Sequence, residues 1–130
     1  MDTNEKRSEN DASPVPSDFR AEIERIRSTL KGKSAKDCLE AGLQSSEGSL
    51  EQIISLIEGL SKVCAGNVSI ANVSPSLVSS AQAAYWTGRN AFLRRYSQAH
   101  QRELLRLIGA SDDFERSVFK IRDALMDLFL

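Results

Sequence analysis

The residues of this sequence best equipped for chemistry are one histidine, His100, and two cysteines, Cys38 and Cys64. Structural zinc needs four closely grouped thiolate or imidazole ligands, and these three are scattered along the chain at spacings no zinc motif uses. The cysteines read as free thiols that behave as small apolar residues, not as a disulfide. There is no Gly-rich phosphate loop, no Cys-x-x-Cys, no His-Glu-x-x-His and no nucleophile elbow. The acid pair Asp112-Asp113 stands where a helix begins, and the amide dipoles there already account for it. Catalysis needs converging acid, base or nucleophile groups, so the expectation is a protein that is not an enzyme, with no metal, no cofactor and no small-molecule substrate.

What remains is recognition chemistry. Arg94, Arg95, Arg102 and Arg106 fall close together, and a guanidinium suits phosphate as well as it suits carboxylate. The same row therefore fits nucleic-acid phosphates or an acidic protein surface. No stacking aromatics or nucleic-acid-binding motif accompany it, and a net charge of -1 provides no overall attraction to polyanions.

These groups must be positioned by helices. Residues 1–16, rich in Ser, Asn, Asp and Glu around Pro14-Val15-Pro16, bury too little apolar area to offset ordering and read as a disordered polar tail. From Ser17 or Asp18 a helix carries Phe19, Ile23, Ile26 and Leu30 on one face, and Gly32 stops it. Ser34 caps a short, weak segment through Leu43, which Gly42 loosens. Ser49 and Gln52 form a capping box before a helix with Ile53, Ile57, Leu60 and Cys64 on its buried face. Gly66 ends that helix, and residues 67–74 form a loop in which Val68, Ile70 and Val73 alternate with polar neighbours. Ser74-Pro75 is a strong helix start. With Gly88 tolerated, one uninterrupted helix runs from Pro75 to Ile108, about 50 Å at 1.5 Å per residue. Gly109 closes it, and Ser111-Asp112-Asp113 opens a last helix folded back as an antiparallel hairpin. Phe114, Val118, Ile121, Leu125 and Leu128 give that helix the four-three seam of coiled coils and bundles. The expected fold is all-α: one domain over 17–130, an antiparallel bundle of three to five helices built on a long C-terminal helical hairpin.

Two features of the hairpin bear on function. On a single continuous helix Tyr85, Trp86, Phe92, Leu93, Tyr96, Leu104 and Leu107 share a dry face, with Arg95, Arg102 and Arg106 opposite. Arg89 and His100 interrupt that face. An inward Arg89 has to meet a carboxylate or stack on Trp86 or Tyr85, and His100 needs a hydrogen-bond partner. Such a polar pair is either satisfied within the bundle or sets register with a partner helix. The last helix also carries a second apolar set, Phe119, Met126, Phe129 and Leu130, wider than one neighbouring helix covers.

The expectation is thus a non-catalytic protein–protein interaction module, a small helical subunit or adaptor of a complex. It docks a copy of itself or another protein through Trp86, Arg89, Phe119, Met126, Phe129 and Leu130. The alternative is a small helical nucleic-acid-binding protein using the four arginines. No run of about 18 apolar residues suggests a membrane span. The polar, acid-rich N-terminus is unlike a signal or transit peptide, so the expected location is intracellular, cytoplasmic or nuclear.

Overall fold

The computed structural model describes residues 18–65 and 73–129, with side chains as far as residue 124. The expected tail over 1–16, the residues Val68 and Ile70, and the side chains of Leu125, Met126, Leu128, Phe129 and Leu130 lie outside that description. The described chain is all-helical, and its helices pack as a bundle: α1 (Phe19–Leu30), α2 (Ala35–Gln44), α3 (Leu50–Ala65), α4 (Pro75–Leu93), α5 (Gln98–Ile108) and α6 (Asp112–Phe129). Among the described residues the bundle has six helices against the expected three to five, because the long helix is broken in two. No helix among the described residues is long and apolar enough to cross a membrane.

Local signals place most of the ends. The Ser34 hydroxyl accepts from the Asp37 amide at 3.1 Å, and the Ser74 and Ser111 hydroxyls cap α4 and α6 through the amides of Leu77 and Phe114. After α5, Gly109 adopts φ 91°, the Gly109 amide donates to Arg106 and the Ala110 amide to Leu105. This left-handed stop satisfies the last carbonyls of α5 and turns the chain sharply into α6.

α1 buries the expected face of Phe19, Ile23, Ile26 and Leu30. α3 is different: Ile53, Ile54, Leu56, Ile57, Leu60 and Val63 are all buried, so it is enclosed on nearly every side as the central helix of the bundle. Gln52 keeps only half of its expected capping role. Its amide donates to the Ser49 hydroxyl at 3.0 Å, but its side-chain oxygen accepts from the Gly48 amide at 2.7 Å inside the core.

α2 is a full helix because Gly42 does not loosen it. A Cβ at Gly42 would stand 2.5 Å from Cδ2 of Leu56, and one at Gly59 on α3 would stand 2.5 Å from Cδ2 of Leu39. Each helix of the pair thus offers a glycine notch to the other's leucine, and both leucines are completely buried.

The expected continuous helix from Pro75 to Ile108 breaks at residues 94–97. The Arg95 and Tyr96 amides donate to Phe92 and Leu93 in tight three-residue turns, and Ser97 is extended at φ -67°, ψ 156° before α5 starts. One side chain braces the turn: Gln101 Nε2 donates to the Leu93 carbonyl at 2.9 Å and to the Tyr96 carbonyl at 3.1 Å. The bend brings α5 beside α1, where Arg27 donates to the Leu107 carbonyl at 3.4 Å, and lets Leu104 and Ile108 become fully buried. A straight helix would carry those two side chains away from the bundle, so their burial favours the bend over a few more helical hydrogen bonds.

Candidate functional site

The aromatic residues singled out in the sequence come together where α6 crosses α4. Tyr85 is fully buried and meets Trp86 edge-on at 5.0 Å and Phe114 at 5.5 Å, ring centre to ring centre. Trp86 in turn lies 4.9 Å from Phe119, their planes tilted by 31°. The cluster runs outward from a buried phenol to a half-buried indole and ends on Phe119, which is 51% exposed.

Beneath the aromatic ridge is a polar layer. The Arg89 guanidinium grips Glu115 with two bonds, Nε to Oε2 at 2.6 Å and Nη2 to Oε1 at 3.2 Å, while Tyr85 donates its hydroxyl proton to Oε2. Arg89 also lies over the Trp86 ring at 5.6 Å, so both partners expected for an inward arginine are present. A further link crosses the same seam, from Gln82 Nε2 to the Val118 carbonyl at 3.1 Å. Burial works against the Arg89 charge, but the Glu115 carboxylate outweighs it and holds the guanidinium above its ordinary range.

Burial first, and then the neighbouring Glu115 carboxylate, push the Tyr85 phenol far above its ordinary value of 10.0. The folded protein therefore keeps a proton that the unfolded chain gives up near pH 10, and stability is lost as the pH rises past that value. Tyr85→Phe is expected to flatten this alkaline slope, as read from urea midpoints at pH 8 and above pH 10. Equal slopes in the two proteins would contradict the assignment.

The other sequence candidates do not all share a face, because the wheel that aligned them assumed a continuous helix and the break separates Arg94 and Arg95 from Arg102 and Arg106. Arg94 is exposed at the end of α4. Arg95 sits in the turn, where it donates to the Gly48 carbonyl at 2.5 Å and lies 5.6 Å from the Phe92 ring. Arg106 on α5 is paired with Glu103 at 2.6 Å. Arg102 borders an open cleft of about 880 Å³ between α5 and the start of α6, shared with Arg106 and Asp112. His100 is in the first turn of α5, where Nδ1 meets the Ser97 hydroxyl at 3.0 Å. It belongs to the helix start and not to a dry face.

Among the described residues no group of three His, Cys, Asp or Glu side chains could hold a metal ion. Cys38 and Cys64 are free, and burial pushes both thiols up, away from the reactive thiolate. Sequence reasoning missed Glu115, Gln82 and Gln101. Glu115 stands in the acidic first turn of α6 and looks like one more dipole partner, although its place one turn before Phe119 and beside Phe114 is a signal that it faces the seam. Against models of protein families, curated proteins and solved structures the chain shows no match.

Proposed function

We propose that this protein is a non-catalytic interaction module, a small helical subunit or adaptor inside the cell. It docks a protein partner through the ridge formed by Trp86 and Phe119 at the α4–α6 crossing. In the sequence, Met126, Phe129 and Leu130 belong to the same apolar set. The observation that carries the reading is Phe119: a large ring, 51% exposed in the middle of a helix, packed against Trp86 instead of being covered. Covering an aromatic side chain fully is worth about 1.5–3 kcal/mol, enough to make it a binding anchor.

The polar layer supports the same role. The Glu115 carboxylate accepts twice from Arg89 and once from Tyr85, so three of its roughly four acceptor positions serve to tie α6 to α4. The docking reading is favoured over nucleic-acid binding by Arg94, Arg95, Arg102 and Arg106 because the break at 94–97 divides that row and two of its members are engaged within the chain.

The test is Phe119→Ser. It is expected to cost no more than about 1 kcal/mol of stability, as a half-exposed site should. It is also expected to remove most of the hydrophobic-dye binding, or the self-association seen in light scattering, of the parent protein. A parent that is a monodisperse monomer without affinity for such dyes contradicts the reading. Titration with duplex DNA and RNA at two salt concentrations separates the other reading, since phosphate contacts weaken steeply with salt.

A further inference from the structure

The charge around the ridge is uneven. From Gly59 to Arg102 the sequence contains no Asp or Glu, and α4, wholly within that stretch, carries a single charge, Arg89. That charge is neutralised by Glu115. The outer flank of α4 beside Trp86 is made of small uncharged residues, with Ala83, Thr87 and Asn90 exposed. On the α6 side the neighbours of Phe119 are Lys120 and Arg122, both exposed. At 100° per residue these two cations lie on opposite flanks of Phe119, at about +100° and -60°.

Among the described side chains α6 has four carboxylates: Asp112 is exposed two turns before Phe119, Asp113 is bridged to Arg116 at 3.2 Å, Glu115 is consumed by Arg89, and Asp123 is exposed one turn beyond Phe119. Among the described residues neither Lys120 nor Arg122 forms an ion pair. The ridge is therefore an aromatic strip with an uncharged wall on α4 and, on α6, a cation on either flank of Phe119 that forms no ion pair among the described residues.

We infer that the segment docking on Trp86 and Phe119 is an acidic amphipathic peptide, its apolar side chains on the two rings and its carboxylates facing Lys120 and Arg122. The inference rests on the docking reading above and adds the chemistry of the partner. Like charges brought against Lys120 and Arg122 exclude basic segments, and the acid-free α4 wall places no repulsion in the path of carboxylates. Two isolated cations are too few to track a phosphate backbone, which favours a peptide over nucleic acid.

Trp86 is the only tryptophan, so its emission reports events at the ridge. The full chain is titrated with two-heptad amphipathic peptides that share leucines at the seam positions and differ elsewhere in carrying Glu, Gln or Lys. The Glu peptide is expected to bind about tenfold more tightly than the Gln peptide, with the gap closing at high salt, and the Lys peptide not to bind. Lys120→Glu with Arg122→Glu, both at exposed positions, is expected to reverse the order of the Glu and Lys peptides while the helical circular dichroism is unchanged. Equal binding of all three peptides that Phe119→Ser abolishes would overturn the acidic preference and leave the docking face standing. Binding of none of them, by a parent that also ignores hydrophobic dyes, overturns both. Salt-sensitive binding of duplex DNA or RNA that the double charge reversal removes would overturn the peptide in favour of phosphate.

Discussion

Glu115→Ala is expected to destabilise the protein by about 3 kcal/mol, far more than the loss of a surface ion pair. Removing the carboxylate leaves Arg89, whose side chain is only 21% exposed, without its counter-charge, and leaves the hydroxyl of the fully buried Tyr85 without an acceptor. Breaking a buried pair by deleting one partner costs about 3–5 kcal/mol, and an orphaned buried hydroxyl adds about 1–3. The lower end applies because Arg89 already bonds the exposed Asn90 through Nη1 at 3.0 Å and can swing toward water along that path. Asp113→Ala is the control. Its pairing with Arg116 is 3.2 Å long but both side chains are largely exposed, so its removal is expected to cost less than about 0.5 kcal/mol. Replacing both members, Arg89→Met with Glu115→Leu, should recover the part of the loss that comes from the uncompensated charge but not the part from the Tyr85 hydroxyl, which still lacks its acceptor. Urea denaturation measures both alanine variants, and on the parent, Arg89→Met, Glu115→Leu and the double variant it closes the cycle that measures the coupling. If Glu115→Ala were as mild as Asp113→Ala, the polar layer would have no part in holding α6 on α4.

Gly42→Ala and Gly59→Ala are each expected to cost about 2 kcal/mol, and together about 4, a large share of the roughly 5–15 kcal/mol that holds a domain folded. The sign is the informative part. At an open position within a helix, glycine to alanine adds about 1 kcal/mol of stability, because the unfolded chain loses freedom. Here the new methyl at residue 59 would stand 2.5 Å from Cδ2, 2.8 Å from Cγ and 3.1 Å from the backbone nitrogen of Leu39. The methyl at residue 42 would press on Cδ2 and Cγ of Leu56 at 2.5 and 2.6 Å. Both leucines are fully buried, so moving either one disturbs the core around it, and overpacking of this kind is expected to outweigh the entropic gain. Leu39→Ala is accordingly expected to be less damaging in the Gly59→Ala background than in the parent, because the methyl fills part of the space the leucine leaves. A rise in the denaturation midpoint of either glycine variant would mean that α2 and α3 do not pack through these notches.

The elements that could be read from the sequence are those whose causes lie within a turn or two of chain. Phe19, Ile23, Ile26 and Leu30 share a face by spacing alone, and Ser34, Ser74, Ser111 and Gly109 act on amides and carbonyls within a few residues of themselves. The environment of Arg89 was readable for a related reason: an inward guanidinium has few satisfactory partners, and Trp86 is one turn away. Phe119 could be named as surplus apolar surface because the seam of α6 is complete without it.

What only the tertiary structure decided depends on partners distant in sequence. Nothing between Arg94 and Ser97 announces a break, for there is no proline or glycine there; the bend is held by Arg95 on Gly48 and by Gln101 on the Leu93 and Tyr96 carbonyls, and is favoured by the burial of Leu104 and Ile108. Once the helix bends, residues on either side of the turn no longer share a wheel, and the arginine row dissolves. The glycines of α2 and α3 look like helix breakers until the leucines opposite them are known, and Glu115 looks like a dipole partner until α4 supplies Arg89 and Tyr85. Spacing along one strand of chain specifies which faces are apolar. Which face meets which, and which polar group then finds its match, is settled by close packing between segments far apart in sequence, and no local pattern records it.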